Sequence, residues 1–307
     1  MLKDRVKWPE GKTYGTSIGI NLEGQYFAKL YYPDGGPVEC PDVNTGEIFQ
    51  VAMEGLNDNL PKMLNLLDEY GIKATFYTAA AMADEWPDLV KEIADRGHEI
   101  ACMGYCHENF GNMSPEEQRE VLAKAKARLE EVAGVPVKGF RMPAGEMTEE
   151  TLRIVKDLGF EYSSSLTDDD VPYIRESCGL VELPIRWELY DLPYFAYTWE
   201  PEIPPSQDRV GCADDVLENW LYELEAMVRY GGCGSPAFHP QISGSPGRSM
   251  MLEKLCAYLA AHKSEIWTTT CLDIARYYKE QMEGADPFSG RDYADLAIAP
   301  EGGDLNA

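Results

Sequence analysis

The sequence predicts an α/β fold, a deformed (β/α) barrel with about seven parallel strands. Short apolar segments alternate with helical patterns along the chain, which is typical of parallel strands joined by helical crossovers. Polar or reactive side chains also follow five of the predicted strands directly: Asn21 and Glu23, Met103 and His107, Arg141 and Glu146, Arg186 and Trp187, and His239. A (β/α) barrel builds its site from the loops after its strands, so we expect Glu23, Met103, His107, Arg141 and His239 to converge at the C-terminal mouth.

The predicted elements follow in order along the chain. The first half contains a strand at 14–20, a long Pro- and Gly-rich loop at 31–47, a helix from residue 60 to Gly71, a strand at 73–78, a helix at 87–96, and an apolar strand after Gly97. Helix 115–133, strand 137–140, helix 149–158, strands at 160–163 and 181–185, helix 215–230, strand 235–238, helix 250–262, strand 266–269 and a helix from 271 complete the series.

Two helix starts carry specific signals. Asp58 or Asn59 should cap the helix that begins at residue 60, because short polar side chains satisfy the free N–H groups of a first turn. Ser114 precedes a proline and lies three residues before Glu117, which predicts a capping box. That helix should end at Gly134.

Composition restricts the partners and the compartment. The formal net charge is −26, from 53 acidic and 27 basic residues, so we expect no binding to nucleic acid or to acidic membranes. The N-terminus lacks an apolar signal segment and no run approaches the ~18 apolar residues of a membrane helix, which favours a cytoplasmic protein. Eight cysteines without a Cys-x-x-Cys pair then predict reduced thiols. Cys102 and Cys106 are expected to be small packing side chains rather than nucleophiles.

A set of motifs resembles the polysaccharide deacetylase superfamily (carbohydrate esterase family 4) over nearly the whole chain. The motifs are Gly97-His98-Glu99-Ile100, Gly104-Tyr105-Cys106-His107-Glu108-Asn109, Gly139-Phe140-Arg141-Met142-Pro143, the segment 158–166, Glu182-Leu183-Pro184 and Phe238-His239-Pro240. Within the superfamily the sequence is most similar to a cytosolic branch of peptidoglycan-deacetylase-like proteins, cyclic imidases and metal-independent allantoinases.

The resemblance implies roles residue by residue. The family's two aspartates, a general base and a metal ligand, match Asn21 and Glu23. Its two metal-binding histidines match Met103 and His107, and His239 matches the late histidine often assigned as general acid. A thioether is a weak donor for zinc, so no cofactor is expected; if zinc is bound, Glu23 and His107 would hold it.

An enzyme without zinc would lose much of the energy that activates the attacking water. Zinc lowers the pKa of bound water from about 15.7 to about 7, which is worth about 12 kcal/mol. The sequence therefore favours a strained or electron-poor cyclic amide or imide over an unactivated sugar acetamide. Two alternatives stay open: a metal-dependent N-deacetylase of an amino sugar or peptidoglycan fragment, and a non-catalytic ligand-binding relative.

For hydrolysis of a cyclic amide we predict the following roles. Glu23 or His107 is the base, Arg141 supports the oxyanion or anchors substrate, and His239 returns the proton. Further substrate contacts are expected from Asn21, Met103, Glu146, Arg186 and Trp187. The strongly negative net charge should raise the pKa of a carboxyl group in this pocket.

The chain is expected to form one barrel domain at 1–283, followed by a loose tail at 284–307. Apolar residues in the tail and in the loop 31–47 would be partly exposed to solvent in a monomer. The related cytosolic enzymes also resemble oligomers. We therefore predict a homo-oligomer that acts on a small molecule, with one of these segments crossing a subunit boundary.

Overall fold

The computed structural model describes residues 6–26, 47–144, 147–195 and 211–282. Its strands are β1 (Tyr14–Thr16), β2 (Gly19–Leu22), β3 (Thr75–Thr78), β4 (Glu99–Cys102), β5 (Gly139–Phe140), β6 (Tyr162–Ser163), β7 (Tyr173–Ile174), β8 (Val181–Glu182), β9 (Ala237–Phe238) and β10 (Ile266–Thr268). The predicted tail, almost all of the loop at 31–47, and Glu146 lie outside the described residues.

The helices lie between the strands. They are α1 (Glu47–Glu54), α2 (Leu60–Glu69), α3 (Ala81–Glu85), α4 (Pro87–Asp95), α5 (Pro115–Ala133), α6 (Glu149–Asp157), α7 (Leu192–Phe195), α8 (Ala213–Tyr230), α9 (Pro240–Ser243), α10 (Pro246–Ala261) and α11 (Cys271–Met282). None of the helices in the described ranges is both long and apolar enough to cross a membrane.

In the part of the chain that the structure describes, the main sheet has eight strands in the order β7-β8-β6-β5-β4-β3-β2-β9. All neighbouring pairs are parallel except β7 with β8, so seven strands run parallel, and the sheet curls into a half-barrel. The predicted deformed (β/α) barrel is confirmed. The single strand predicted at 14–20 is wrong in detail, because β1 pairs with β10 in a separate two-stranded sheet and β2 joins the main one.

Side chains alternate between two apolar layers along the strands. Ile20, Phe76, Ile100, Phe140 and Phe238 belong to the layer that packs with the helices. Tyr77, Ala101 and Met103, one residue out of phase, belong to a second cluster inside the curled sheet. Because successive strand residues face opposite sides, Asn21, Arg141 and His239 also fall on the inner side of the sheet.

The two helix-start predictions had different outcomes. Ser114 and Glu117 form the predicted capping box, and Gly134 ends α5 at φ 70°. The predicted cap at residues 58–59 is wrong, because α1 continues into α2 through a π-helical segment, Gly55–Asn59. Asn59 donates instead to the carbonyl of Pro240 at 3.2 Å, which ties this helix to the segment after β9.

None of the described cysteines, which are seven of the chain's eight, is in a disulfide. Cys102 is buried in the helix-facing layer, and burial raises the pKa of its thiol to about 12. A thiol that stays protonated at neutral pH is a poor nucleophile, so Cys102 has the packing role that the sequence predicts. Cys106 is half-buried in the turn after β4.

Candidate active site

The candidate site lies where the parallel strands end. Glu23 follows β2, Met103 follows β4, Arg141 follows β5 and His239 follows β9. The carboxyl ends of parallel strands meet at one edge of a sheet. Hydrogen bonds join the ends of β2, β5 and β9 directly. The structure therefore brings the sequence-predicted residues Asn21, Glu23, His107, Arg141 and His239 together.

His239 is held by a buried aspartate. Its Nδ1 lies 2.6 Å from Oδ1 of Asp191, and its backbone N–H donates to Oδ2 of Asp191 at 2.7 Å. The hydroxyl of Ser243 donates to the same Oδ2 at 2.7 Å. Asp191 is fully buried and accepts from three donors, so its carboxylate fixes the plane of the His239 ring.

Arg141 and Asn21 continue this arrangement across the sheet. Arg141 is buried and donates through Nε and Nη2 to Ser164, and through Nη1 to Oδ1 of Asn21 at 3.1 Å. Its guanidinium also lies 3.5 Å from the ring centroid of Tyr77, an aromatic contact that fixes its plane. Nδ2 of Asn21 lies 3.0 Å from Nε2 of His239. One continuous hydrogen-bonded chain therefore runs from Ser164 to Asp191.

Glu23 and His107 form a second buried pair. Nε2 of His107 lies 3.5 Å from Oε1 of Glu23, and both side chains are almost completely shielded from solvent. Among the described residues, no hydrogen-bond partner occupies either carboxylate oxygen of Glu23 or either ring nitrogen of His107. Buried polar groups are normally satisfied, so this pair has the unused capacity expected where a ligand binds.

The turn after β4 presents His107 with a strained backbone. His107 has φ 59°, in the left-handed region that non-glycine residues rarely adopt. The carboxylate of Glu108 accepts from the backbone N–H groups of Tyr105 and Cys106 at 2.8 and 2.7 Å, which holds the turn in place. Such strain costs about 1–3 kcal/mol and persists where surrounding contacts enforce it.

The electrostatics of Glu23 differ from the sequence expectation. Burial raises the pKa of the carboxyl, but the nearby charges of His107, His239 and Arg141 lower it by more. The net pKa is below its usual value, so Glu23 is ionised at neutral pH. The predicted upward shift is wrong for Glu23, because the nearby positive charges outweigh the effect of burial.

The donor set can be tested against the zinc that the fold family implies. The positions that match the family's ligands hold one carboxylate, one imidazole and the thioether of Met103. Within the described residues, no group of three or more His, Cys, Asp and Glu side chains could hold a metal. A catalytic zinc takes three good protein ligands, and this set supplies two, Glu23 and His107, so it does not fit.

The other predicted site residues differ in their surroundings. Met103 is 4% exposed and packs in the inner cluster. Arg186 pairs with Asp170 and lies 3.6 Å from Glu223, while Trp187 is 55% exposed and packs on Tyr190. These contacts do not join Arg186 or Trp187 to the buried chain, and their substrate role stays a prediction. Glu146 lies outside the described residues.

Sequence reasoning missed three members of the site. Asp191 lies between the predicted strand at 181–185 and the predicted helix at 215–230, where its position directly after Leu189-Tyr190 was the available signal. Ser164 was noted only as part of a motif, and Tyr77 only as a strand residue. Their roles depend on which strands are neighbours, which the order of residues in the chain does not give.

Comparison with known proteins agrees with this geometry. A family model described as polysaccharide deacetylase matches residues 48–163. The peptidoglycan deacetylase of Helicobacter pylori is 25% identical over 240 residues, covering 68% of this chain and 80% of that protein. The peptidoglycan deacetylase-like protein FGM2 of Gibberella zeae is 30% identical over 198 residues, 63% of this chain and 54% of that protein.

Solved structures show the same fold. A Mycobacterium smegmatis protein assigned to the polysaccharide deacetylases is 29% identical, with a TM-score of 0.81 over 90% of this chain and 93% of that one. Puue allantoinase is 21% identical, with a TM-score of 0.74 over 91% of this chain and 93% of that one, a likeness of fold alone.

Fold, motifs and relatives together indicate an enzyme with a deformed (β/α) barrel from the class of hydrolases that act on amide bonds. The comparisons support the superfamily that the sequence motifs indicate, that of the polysaccharide deacetylases, whose family model matches residues 48–163.

Proposed function

We propose that this protein hydrolyses the C–N bond of a small cyclic amide or imide. The observation that carries the proposal is the buried Glu23–His107 pair with its unused hydrogen-bonding capacity. The sequence resemblance matches both residues to metal-ligand positions of the family. Without metal-activated water an acetamide is hydrolysed very slowly, whereas a strained or electron-poor ring carbonyl needs less activation of the attacking water.

Glu23 suits the recognition of a ring N–H. Its lowered pKa leaves an ionised carboxylate, and both of its oxygens are buried without a hydrogen-bond partner in the described ranges. A buried carboxylate is an acceptor only, so it favours a ligand that presents N–H groups. Cyclic imides and ureides carry such an N–H beside the carbonyl that water attacks. The same low pKa makes Glu23 a weak base.

Two imidazole–carboxylate pairs can move protons in this site. His107 lies beside Glu23, and His239 lies beside Asp191, in pairs anchored on different strands. During hydrolysis a base takes a proton from the attacking water, and the leaving nitrogen receives one as the C–N bond breaks. Arg141 is better placed to fix Asn21 than to bind an oxyanion, since three of its N–H groups face protein acceptors.

A metal-dependent N-deacetylase of an amino sugar is the second candidate. It is favoured by the resemblance to the peptidoglycan deacetylase of Helicobacter pylori. It is disfavoured by the thioether of Met103, which stands at a position that the resemblance matches to a metal-binding histidine of the family. A non-catalytic relative is disfavoured by the buried charged groups, because retaining ionised side chains in an apolar interior costs stability.

We also propose a cytoplasmic homo-oligomer whose catalytic barrel spans residues 1–283, with the tail 284–307 or the loop 31–47 crossing a subunit boundary. The unbridged cysteines of the described ranges support a reducing compartment. The net charge of −26 supports a small-molecule substrate over nucleic acid or an acidic membrane.

The test is a turnover panel that compares succinimide, hydantoin, dihydrouracil and allantoin with N-acetylglucosamine oligomers. Ring opening is followed by mass spectrometry, with the His107→Ala variant beside His262→Ala as a matched control. His262 is half-buried and packs on Tyr258 at the end of α10, away from the pairs described above. Hydrolysis of a ring that His107→Ala abolishes supports the proposal; deacetylation of the oligomers alone contradicts it.

A further inference from the structure

We propose that Asn21 is a positioning residue that holds His239 with its proton on Nδ1, so that Nε2 of His239 accepts the proton of the attacking water. The proposal rests on the proposed function, since it names the base for that hydrolysis. It departs from the sequence prediction, which gave the base role to Glu23 or His107.

The hydrogen-bond directions follow from one fixed donor. A guanidinium has no acceptor, so the contact between Nη1 of Arg141 and Asn21 at 3.1 Å requires the amide oxygen of Asn21 to face Arg141. The amide nitrogen of Asn21 must then face Nε2 of His239, which lies 3.0 Å away. An amide NH₂ only donates, so Nε2 is the acceptor and carries no proton in this arrangement.

The other side of the ring agrees with this assignment. With Nε2 bare, the proton of the neutral imidazole is on Nδ1, which lies 2.6 Å from Oδ1 of Asp191. The carboxylate is also fixed by the backbone N–H of His239 and the hydroxyl of Ser243, so it cannot turn away without losing both bonds. Donors and acceptors therefore alternate without conflict from Arg141 through Asn21 and His239 to Asp191.

The residue type at position 21 decides the direction. An aspartate there would accept from Arg141 and from Nε2–H of His239 alike, and would stabilise a doubly protonated imidazolium. Asparagine has nearly the same shape but presents a donor to the ring. It therefore disfavours a proton on Nε2 and keeps the lone pair available.

The charged groups that face His239 make this lone pair basic. Burial lowers the pKa of His239, the Arg141 charge lowers it as well, and the charges of Asp191 and Glu23 raise it by more. The net pKa is above its usual value. In the reaction, water displaces the Asn21 amide from Nε2, gives its proton to Nε2 and adds its oxygen to the ring carbonyl. When the C–N bond breaks, the same proton passes to the leaving nitrogen, which leaves the site unchanged.

The direct test is side-chain ¹⁵N NMR on the full-length protein, which contains only four histidines. We expect the neutral ring of His239, observed at a pH above its raised pKa, to show a protonated Nδ1 and an unprotonated Nε2, the less common tautomer of free histidine. This measurement needs no variant and no substrate. A neutral ring that carries its proton on Nε2 in the parental protein overturns the proposal.

Asn21→Asp provides the second measurement, with Asn65→Asp as a control on an exposed position of α2. The new carboxylate should raise the pKa of His239 by about 1–3 units, seen as imidazolium persisting to higher pH. For a substrate that is turned over, the rising limb of kcat/KM against pH should move upward by a similar amount. An unchanged titration or pH profile in Asn21→Asp rejects the role of Asn21.

Failure of the proposed function and failure of the assignment of His239 as base give different experimental results. If the predicted tautomer is found but no ring is hydrolysed, the proposed function fails while the positioning by Asn21 stands. If a ring is hydrolysed but Nε2 carries the proton, the function stands and the assignment of His239 as base fails.

Discussion

Replacing Asp191 by asparagine should disable His239 while leaving the fold almost intact. Oδ2 of Asp191 accepts two donors, the His239 backbone N–H and the Ser243 hydroxyl, so the amide oxygen of the variant must take that place. The amide nitrogen then faces Nδ1 of His239, where Oδ1 stood at 2.6 Å. The ring proton is forced onto Nε2, where it meets the N–H of Asn21.

The magnitude follows from the bonds that change. Asp191→Asn keeps two neutral hydrogen bonds and loses one charged one, so the free energy of unfolding should fall by about 1–3 kcal/mol. Turnover should fall further, by ~10²–10⁴-fold, because the wrong tautomer removes a general base without moving the ring. Asp191→Ala leaves three buried donors unpaired, and its unfolding free energy should fall by about 3–5 kcal/mol.

Three measurements check this prediction together: chemical denaturation, initial rates with a cyclic substrate that the parental protein hydrolyses, and the ¹⁵N spectrum of His239. In Asp191→Asn we expect a free energy of unfolding lowered by about 1–3 kcal/mol, a large loss of rate and a proton on Nε2 of His239. Ser243→Ala is the matched control, because it removes one of the three bonds to Asp191 and leaves the ring contact in place. Parental turnover by Asp191→Asn would refute the reasoning.

The remaining predictions concern the site, the pH dependence of stability and the assembly. His107→Ala and His239→Ala should each lower turnover by ~10²-fold or more, and Arg141→Lys should also lower it because an ammonium cannot bond Asn21 and Ser164 in one plane; parental rates in both histidine variants would show that the chemistry lies elsewhere. Burial lowers the pKa of His98 to about 4, whereas its imidazole in the unfolded chain takes up a proton below about 6.5. The unfolded state therefore binds more protons between these values, and the free energy of unfolding should fall by up to about 3 kcal/mol as the pH falls through them. His98→Asn, which can still accept from the Ala74 N–H, should flatten that dependence in denaturation curves, and an unaltered slope would contradict the assignment. Light scattering should show a homo-oligomer, and a monomer unchanged by deletion of residues 286–307 would exclude the proposed assembly.

The fold was predictable because its signals are local. Alternating strands and helices, the capping box at Ser114 and the glycine after α5 each depend on neighbouring residues. The cap predicted at residues 58–59 failed because a tertiary contact determines that region. Gly55 packs so closely against Gln241 that a Cβ there would lie 2.8 Å from its backbone nitrogen, and the helix continues past it.

The site was predictable only in its separate parts. Position after a strand placed Glu23, Arg141 and His239 at one end of the sheet. The partners of those residues could not be read from the sequence, because Asp191 lies 48 positions from His239 and Ser164 lies 23 positions from Arg141. Which way the hydrogen bonds run depends on these pairings, and so does the downward shift of the Glu23 pKa.

The most direct test of the account is ring hydrolysis by protein of measured metal content. Purified without chelator, the protein should contain no stoichiometric zinc, because the family's ligand positions supply only Glu23, His107 and the Met103 thioether. Its rate on a cyclic imide or ureide should be the same with chelator as without. One equivalent of zinc held through Glu23 and His107, with activity that chelator abolishes and zinc restores, would contradict the account.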